Sequence, residues 1–137
     1  MQAFATPPNS VLAPSILICE DSAVVRIYVK RTLLGAYPEA KIHEAGDGKA
    51  GLDVMKANKV DLIVTDLQME GMDGDSFLRL IKRNIVLGRK PVLVLSGMIT
   101  EDIRREYAGR PEVLFLAKPA TAEQLTGAVS SLLGVPR

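Results

Sequence analysis

Four stretches of the chain are nearly unbroken apolar runs: Ser15-Ile-Leu-Ile-Cys19, Leu62-Ile-Val64, Val92-Leu-Val-Leu95 and Val113-Leu-Phe-Leu-Ala117. Runs this short and this apolar predict strands buried on both faces of a parallel sheet. A fifth candidate, Lys41-Ile-His-Glu-Ala45, is more polar and belongs nearer an edge. Helical periodicity fills the intervals. Ser22 caps a predicted helix that carries Val25, Val29, Thr32 and Leu33 on one side and ends near Gly35. Residues 48–58 place Ala50, Val54 and Ala57 on one stripe, and Asp73 or Asp75 opens a helix with Phe77, Leu78 and Ile81. Thr100, with Glu101 and Asp102, opens a short charged helix ending by Gly109. Thr121 opens the last, with Leu125, Ala128, Val129 and Leu132 inward and Gly134 as its stop. Strand and helix alternate throughout, which predicts a doubly wound α/β sheet with right-handed crossovers.

Composition narrows the class without naming a function. The 137 residues are 47% hydrophobic and 24% charged with a net charge of +1, which fits one folded domain rather than a disordered chain. That balance argues against direct nucleic-acid binding or a membrane-surface role, both of which need a basic excess on some face. No apolar stretch approaches the roughly 18 residues of a membrane span. Residues 1–14, with Pro7, Pro8 and Pro14, read as a flexible leader without signal-peptide character, and 135–137 as a short tail around a domain at 15–134. The single cysteine, Cys19, cannot form an internal disulfide, so a reducing cytoplasm is expected.

The chemistry lies where the apolar runs stop. In open α/β sheets, ligands bind beyond the carboxyl ends of the strands. The run at 15–19 ends in Glu20-Asp21, that at 62–64 in Asp66, that at 92–95 in Ser96 and that at 113–117 in Lys118-Pro119. Three carboxylates held together repel one another unless a cation sits among them. An oxygen-only set suits a hard ion such as Mg²⁺. A hydroxyl and an amine beside it suit the oxygens of a phosphoryl group, and one carboxylate can then act as a nucleophile to form an aspartyl phosphate.

These residues, at intervals of 45, 30 and 22 from Asp21 through Asp66 and Ser96 to Lys118, closely resemble the receiver domain of two-component response regulators. Asp66-Leu-Gln-Met-Glu-Gly-Met-Asp-Gly74 resembles that family's loop after the phosphoacceptor strand, and the likeness spans residues 15–133. It implies a single CheY-like (βα)5 domain of flavodoxin-like topology, a five-stranded parallel sheet in the order 2-1-3-4-5. It further implies that Asp66 is the phosphoacceptor, and that Asp21, Asp66 and the main-chain carbonyl of Gln68 bind Mg²⁺ (or Mn²⁺), with Glu20 acting through water. Lys118 would bridge Asp66 and the phosphoryl oxygens, Ser96 and Phe115 would move as the switch, and the Lys118-Pro119 bond would be cis.

The implied protein is a signalling module rather than an enzyme, although it promotes its own phosphotransfer and dephosphorylation. A sensor histidine kinase or histidine phosphotransfer protein would donate the phosphate. The surface of residues 98–133 would engage a downstream protein or output domain, and a homodimer is compatible with this. Four positions depart from the family's common pattern: Glu70 replaces a proline, Gln68 stands where access of hydrolytic water is influenced, Gly97 replaces alanine, and Phe115 lacks a tyrosine hydroxyl.

Plainer readings hold for the other polar residues. Asp61 reads as a solvated strand start, His43 as surface structure and Cys19 as a small buried hydrophobe. Met69 and Met72 read as loop packing, and Tyr28, Tyr37 and Tyr107 have no constellation around them. Three rivals compete with the receiver reading. Gly46-Asp-Gly48-Lys-Ala-Gly51 is a literal G-x-G-x-x-G with Asp66 twenty residues on, the pattern of a dinucleotide-binding domain. The preceding strand is charged, however, and that reading leaves Glu20, Ser96 and Lys118 unexplained. A Mg²⁺-dependent aspartyl-phosphate hydrolase commonly carries a second carboxylate where this chain has Gln68. A receiver-like scaffold that is never phosphorylated would not need the intact acidic pair.

Overall fold

A computed structural model describes residues 13–69, 76–79 and 90–134. The strands are β1 (Ser15–Cys19), β2 (Lys41–Ala45), β3 (Leu62–Thr65), β4 (Val92–Ser96) and β5 (Val113–Ala117). Between and after them lie α1 (Ala23–Ala36), α2 (Gly48–Ala57), α3 (Glu101–Glu106) and α4 (Ala122–Leu132). Residues 76–79 are also helical. All strands pair in parallel in the order β2-β1-β3-β4-β5.

Strand geometry accounts for the apolar runs. Side chains alternate between faces, so a central strand covered on both sides needs apolar residues at every position. Leu17 and Cys19 enter one core with Ile63, Val92, Val94 and Phe77. Ile16 and Ile18 enter the other, with Leu62, Val64, Leu93 and Leu95. The second core is closed by Val29 and Leu33 of α1 and Leu125 and Val129 of α4. Met55 of α2, Leu78 and Ile103 of α3 close the first. Each such fully buried side chain contributes roughly 1.5–3 kcal/mol relative to exposure.

Most helix starts follow the expected chemistry. The hydroxyls of Ser22, Thr100 and Thr121 accept from the amides of Val25, Ile103 and Gln124. Gln124 completes a capping box by accepting from the Thr121 amide. α1 runs past Gly35 to Ala36 and closes when the Tyr37 amide donates to the Leu33 carbonyl.

Two expectations need correction. Ala50 and Val54 pack against the core as expected, but the most buried positions of α2 are Gly48, Gly51 and Met55, and Ala57 is exposed. Counting apolar side chains missed Gly48 and Gly51 because glycine has none. A Cβ on Gly51 would stand 2.6 Å from Cys19 Sγ and 3.1 Å from Phe77, so the glycine lets α2 lie directly on the core. β5 is an edge strand, so Leu114 and Leu116 on one face and Phe115 on the other are only half-buried against the two cores. Met72, Asp73, Asp75 and Ile81 lie outside the described residues, as do Glu70, the leader up to residue 12 and the tail. Among the described residues, no helix is long and apolar enough to cross a membrane.

Candidate functional site

The parallel ladder itself assembles the site. Beyond the strand ends, the Glu20 amide donates to the Ala45 carbonyl (2.9 Å), the Asp66 amide to the Cys19 carbonyl (3.1 Å) and the Lys118 amide to the Ser96 carbonyl (3.0 Å). Each bond continues the pairing by one residue, so the polar residues that end the apolar runs stand side by side on one sheet edge. β1 and β3 are neighbours, whereas the chain leaves them in opposite directions, toward β2 and toward β4. Their carboxyl ends therefore flank the point where strand order reverses.

Glu20, Asp21 and Asp66 bring carboxylate oxygens within 4.8 Å of one another. Glu20 and Asp66 are buried and Asp21 is exposed. Lys118 Nζ joins the two buried groups, donating to Glu20 Oε1 at 2.6 Å and Asp66 Oδ2 at 2.7 Å. The second Glu20 oxygen accepts from the Ser22 amide at 2.9 Å. Asp66 Oδ1 accepts from the amides of Leu67 (2.6 Å) and Gln68 (3.1 Å).

The two buried carboxylates are driven apart in proton affinity. Burial alone would raise both. At Asp66 it is outweighed by hydrogen bonds from Lys118, Ser96 and the Gln68 amide and by the Lys118 charge, so the carboxyl is held below its ordinary value. At Glu20 burial prevails over Lys118 and Ser22, and the carboxyl is raised. Burial would lower Lys118, but hydrogen bonds and charge from Asp66 and Glu20 raise it. The outcome is an ionised Asp66 facing a protonated Lys118. Three oxygen-donor carboxylates with an opening at the exposed Asp21 fit a hard divalent cation.

Ser96 is fully buried, and its hydroxyl accepts from the Met98 amide at 3.2 Å. A Cβ on Gly97 would meet nothing within 4 Å, so glycine is not sterically required there. The Phe115 ring centroid lies 6.3 Å from that of Tyr107, with the Arg104 guanidinium 5.7 Å from it over the ring. The Lys118-Pro119 peptide is cis.

Several residues outside the predicted set also take structural roles. Asp61 is not an idle solvated carboxylate, because its Oδ2 accepts from the Ser15 amide at 2.8 Å and ties the start of β3 to β1. His43 is half-buried with Nε2 3.2 Å from Ser15 Oγ. The Tyr28 hydroxyl donates to the Ala120 carbonyl at 2.9 Å, and Tyr37 pairs with Ser130 at 2.6 Å. No local pattern could have found these contacts, which join residues far apart in the chain. Burial pushes the Cys19 thiol up to about 12, which makes it inert. The glycine-rich stretch is used for structure: Asp47 caps α2 through the Ala50 amide, and Gly51 packs against Cys19 and Phe77. It also follows the edge strand β2 instead of the central strand that a dinucleotide site needs.

The sequence profile of the response regulator receiver domain matches residues 16–130. A sensor histidine kinase of Ectopseudomonas mendocina, TmoS, is 30% identical over 122 residues, which cover 89% of this chain and 12% of that protein. The chain thus spans a small part of that relative. The signal receiver domain of a signal transduction histidine kinase from Syntrophus aciditrophicus superposes with a TM-score of 0.76 at 27% identity, covering 91% of this chain and 94% of the other. Chemotaxis protein CheY4 of Vibrio cholerae shares the fold with a TM-score of 0.77 at 23% identity, covering 88% and 98%. With an acidic cluster at the switch point compatible with a phosphoacceptor site, the chain belongs to the receiver-domain family of two-component response regulators.

Proposed function

We propose that this domain is a phosphorylation switch in which Asp66 accepts a phosphoryl group from a histidine kinase or a histidine phosphotransfer protein. The observation that carries this reading is the Lys118 bridge to Asp66 and Glu20 beside Asp21. In the transfer, the phosphorus–nitrogen bond of a phosphohistidine breaks as an Asp66 carboxylate oxygen forms the new phosphorus–oxygen bond. Asp66 is suited to this because it is ionised at neutral pH. Asp21, Asp66 and the Gln68 carbonyl would hold Mg²⁺, with Glu20 acting through water. When bound, that ion supplies charge neutralisation for the phosphoryl oxygens.

Lys118 would turn from Glu20 toward the phosphoryl group, and the Ser96 hydroxyl would leave Met98 to donate to the same oxygens. Phosphorylation adds roughly 1.5–2 negative charges at one point, enough to bias a two-state loop. Phe115, held between Tyr107 and Arg104, would carry the change to the surface of residues 98–133. The phosphodonor would approach over α1, where Val24, Ile27 and Tyr28 are exposed and Tyr28 is bonded next to Pro119.

Intact mass after incubation with acetyl phosphate tests the reading. A phosphoryl adduct that forms with Mg²⁺ in the native protein, and is absent without Mg²⁺ or in Asp66→Asn, is expected. No adduct in the native protein, or an equal one in Asp66→Asn, would overturn it.

A further inference from the structure

Arg26 was not singled out by any motif, yet it reaches the backbone of the acidic loop. It lies one turn into α1, where its amide donates to the Ser22 carbonyl at 2.9 Å. A cation this close to a helix N-terminus is disfavoured by the helix dipole, so α1 itself does not call for it. Its Nη1 donates to the Glu20 carbonyl at 2.5 Å and its Nε to Glu44 Oε1 at 3.3 Å. Glu44, on β2, also receives Lys30 Nζ at 3.2 Å. The Arg26 side chain is only 22% exposed, so screening of these contacts by solvent is reduced.

The Glu20 carbonyl belongs to the peptide that leads into Asp21. Glu20 is held on each side of that peptide: Ala45 accepts from its amide in the preceding peptide, the Ser22 amide donates to its side chain, and Arg26 alone holds the carbonyl of the peptide that leads into Asp21. Arg26 is the one of these anchors that comes from a helix side chain. The planar guanidinium reaches the carbonyl and Glu44 from two nitrogens, Nη1 and Nε, held at a fixed spacing that the single nitrogen of an ammonium does not reproduce. Glu44 also answers its charge beside a cluster expected to take a cation.

We propose that Arg26 is a positioning residue for the acidic loop, fixing the Glu20-Asp21 peptide so that Asp21 stands ready beside Asp66 for a divalent cation. The inference rests on the reading of that cluster as the Mg²⁺ site. It makes a prediction whose sign is informative. Removing a nearby positive charge should, by electrostatics alone, tighten Mg²⁺ binding. Loss of a positioning contact should weaken it.

The test is the Mg²⁺ dissociation constant, measured by calorimetry on the full chain for the native protein, Arg26→Ala and Arg26→Lys, with urea unfolding to verify that each is folded. Arg26→Ala is expected to weaken Mg²⁺ binding about tenfold, the usual scale for groups that orient metal ligands. Arg26→Lys keeps the charge but loses the two spaced nitrogens and is also expected to bind more weakly than the native protein. If Arg26→Ala does not fold, Arg26→Lys decides. Native-like or tighter binding in a folded variant would overturn the proposal. No Mg²⁺ binding by the native protein would overturn the metal-site reading and the proposal together, a result distinct from native binding unaffected by Arg26.

Discussion

Lys118 shows how much one side chain can organise. It is the cation between two buried carboxylates, and without it Glu20 and Asp66 would face each other unneutralised. Lys118→Met should lower stability by roughly 1–3 kcal/mol, the scale for leaving buried polar groups unpaired. The pH dependence of that loss follows from the directions of the shifts. Asp66 lies below its ordinary 3.8, so its share is present above 3.8 and is lost as pH falls through the lowered value. Lys118 lies above 10.5, so its share is present below 10.5 and is lost as pH rises through the raised value. Glu20, raised above 4.5, has the opposite sign to Asp66: its share is full below 4.5 and is lost as pH rises through the raised value. The difference between native and Lys118→Met unfolding free energies in urea should therefore be largest near neutrality and shrink at both extremes. A difference constant across pH would contradict this account. The roles proposed for Asp66, Ser96 and Lys118 were legible because each stands within two residues of the end of an apolar run. Arg26 and Asp61 were not, because their partners are main-chain groups whose positions no side-chain pattern encodes.

Among the elements, α2 carries the clearest steric demand. Its glycines mimic a nucleotide fingerprint in sequence, but Gly51 is needed because Cys19 Sγ and the Phe77 ring occupy the space a Cβ would take. Gly51→Ala should cost about 1–3 kcal/mol by overpacking despite alanine's better helix propensity. Cys19→Ala in the same chain should recover part of that loss, since it removes the nearest atom. A double-mutant cycle in urea would measure the coupling, and strict additivity would count against the packing explanation. Helix starts were readable in advance from Ser22, Thr100 and Thr121 because an N-cap is a local bond. The burial of Gly48 and Gly51 on α2 was not, since it depends on how closely the helix approaches β1.

At the scale of the whole molecule, the two sheet faces separate the packing duties, and the carboxyl edge is left for chemistry. The exposed apolar face of α1 lies beside that edge: Val24 is 77% and Ile27 48% exposed. If a phosphohistidine donor docks there, Val24→Ser with Ile27→Ser should slow transfer from a phosphorylated donor protein about tenfold, a typical effect for interface anchors. Phosphorylation by acetyl phosphate should be unchanged, because neither residue contacts Asp66. Equal slowing with both donors would place the effect in the site itself.

The sequence by itself determined the alternation of strands and helices, the caps that start three helices, and the residues that end each apolar run. These features are local, set by periodicity and by bonds spanning a few residues. Only the tertiary structure decided that Lys118 bridges Glu20 and Asp66, that β5 is a half-covered edge, that Gly51 lies against Cys19, and that Arg26 reaches the Glu20 carbonyl. Each depends on the register and spacing of elements distant in the chain. That information lies in the close packing of the two cores, where a shift of one residue in strand register would turn every side chain to the other face.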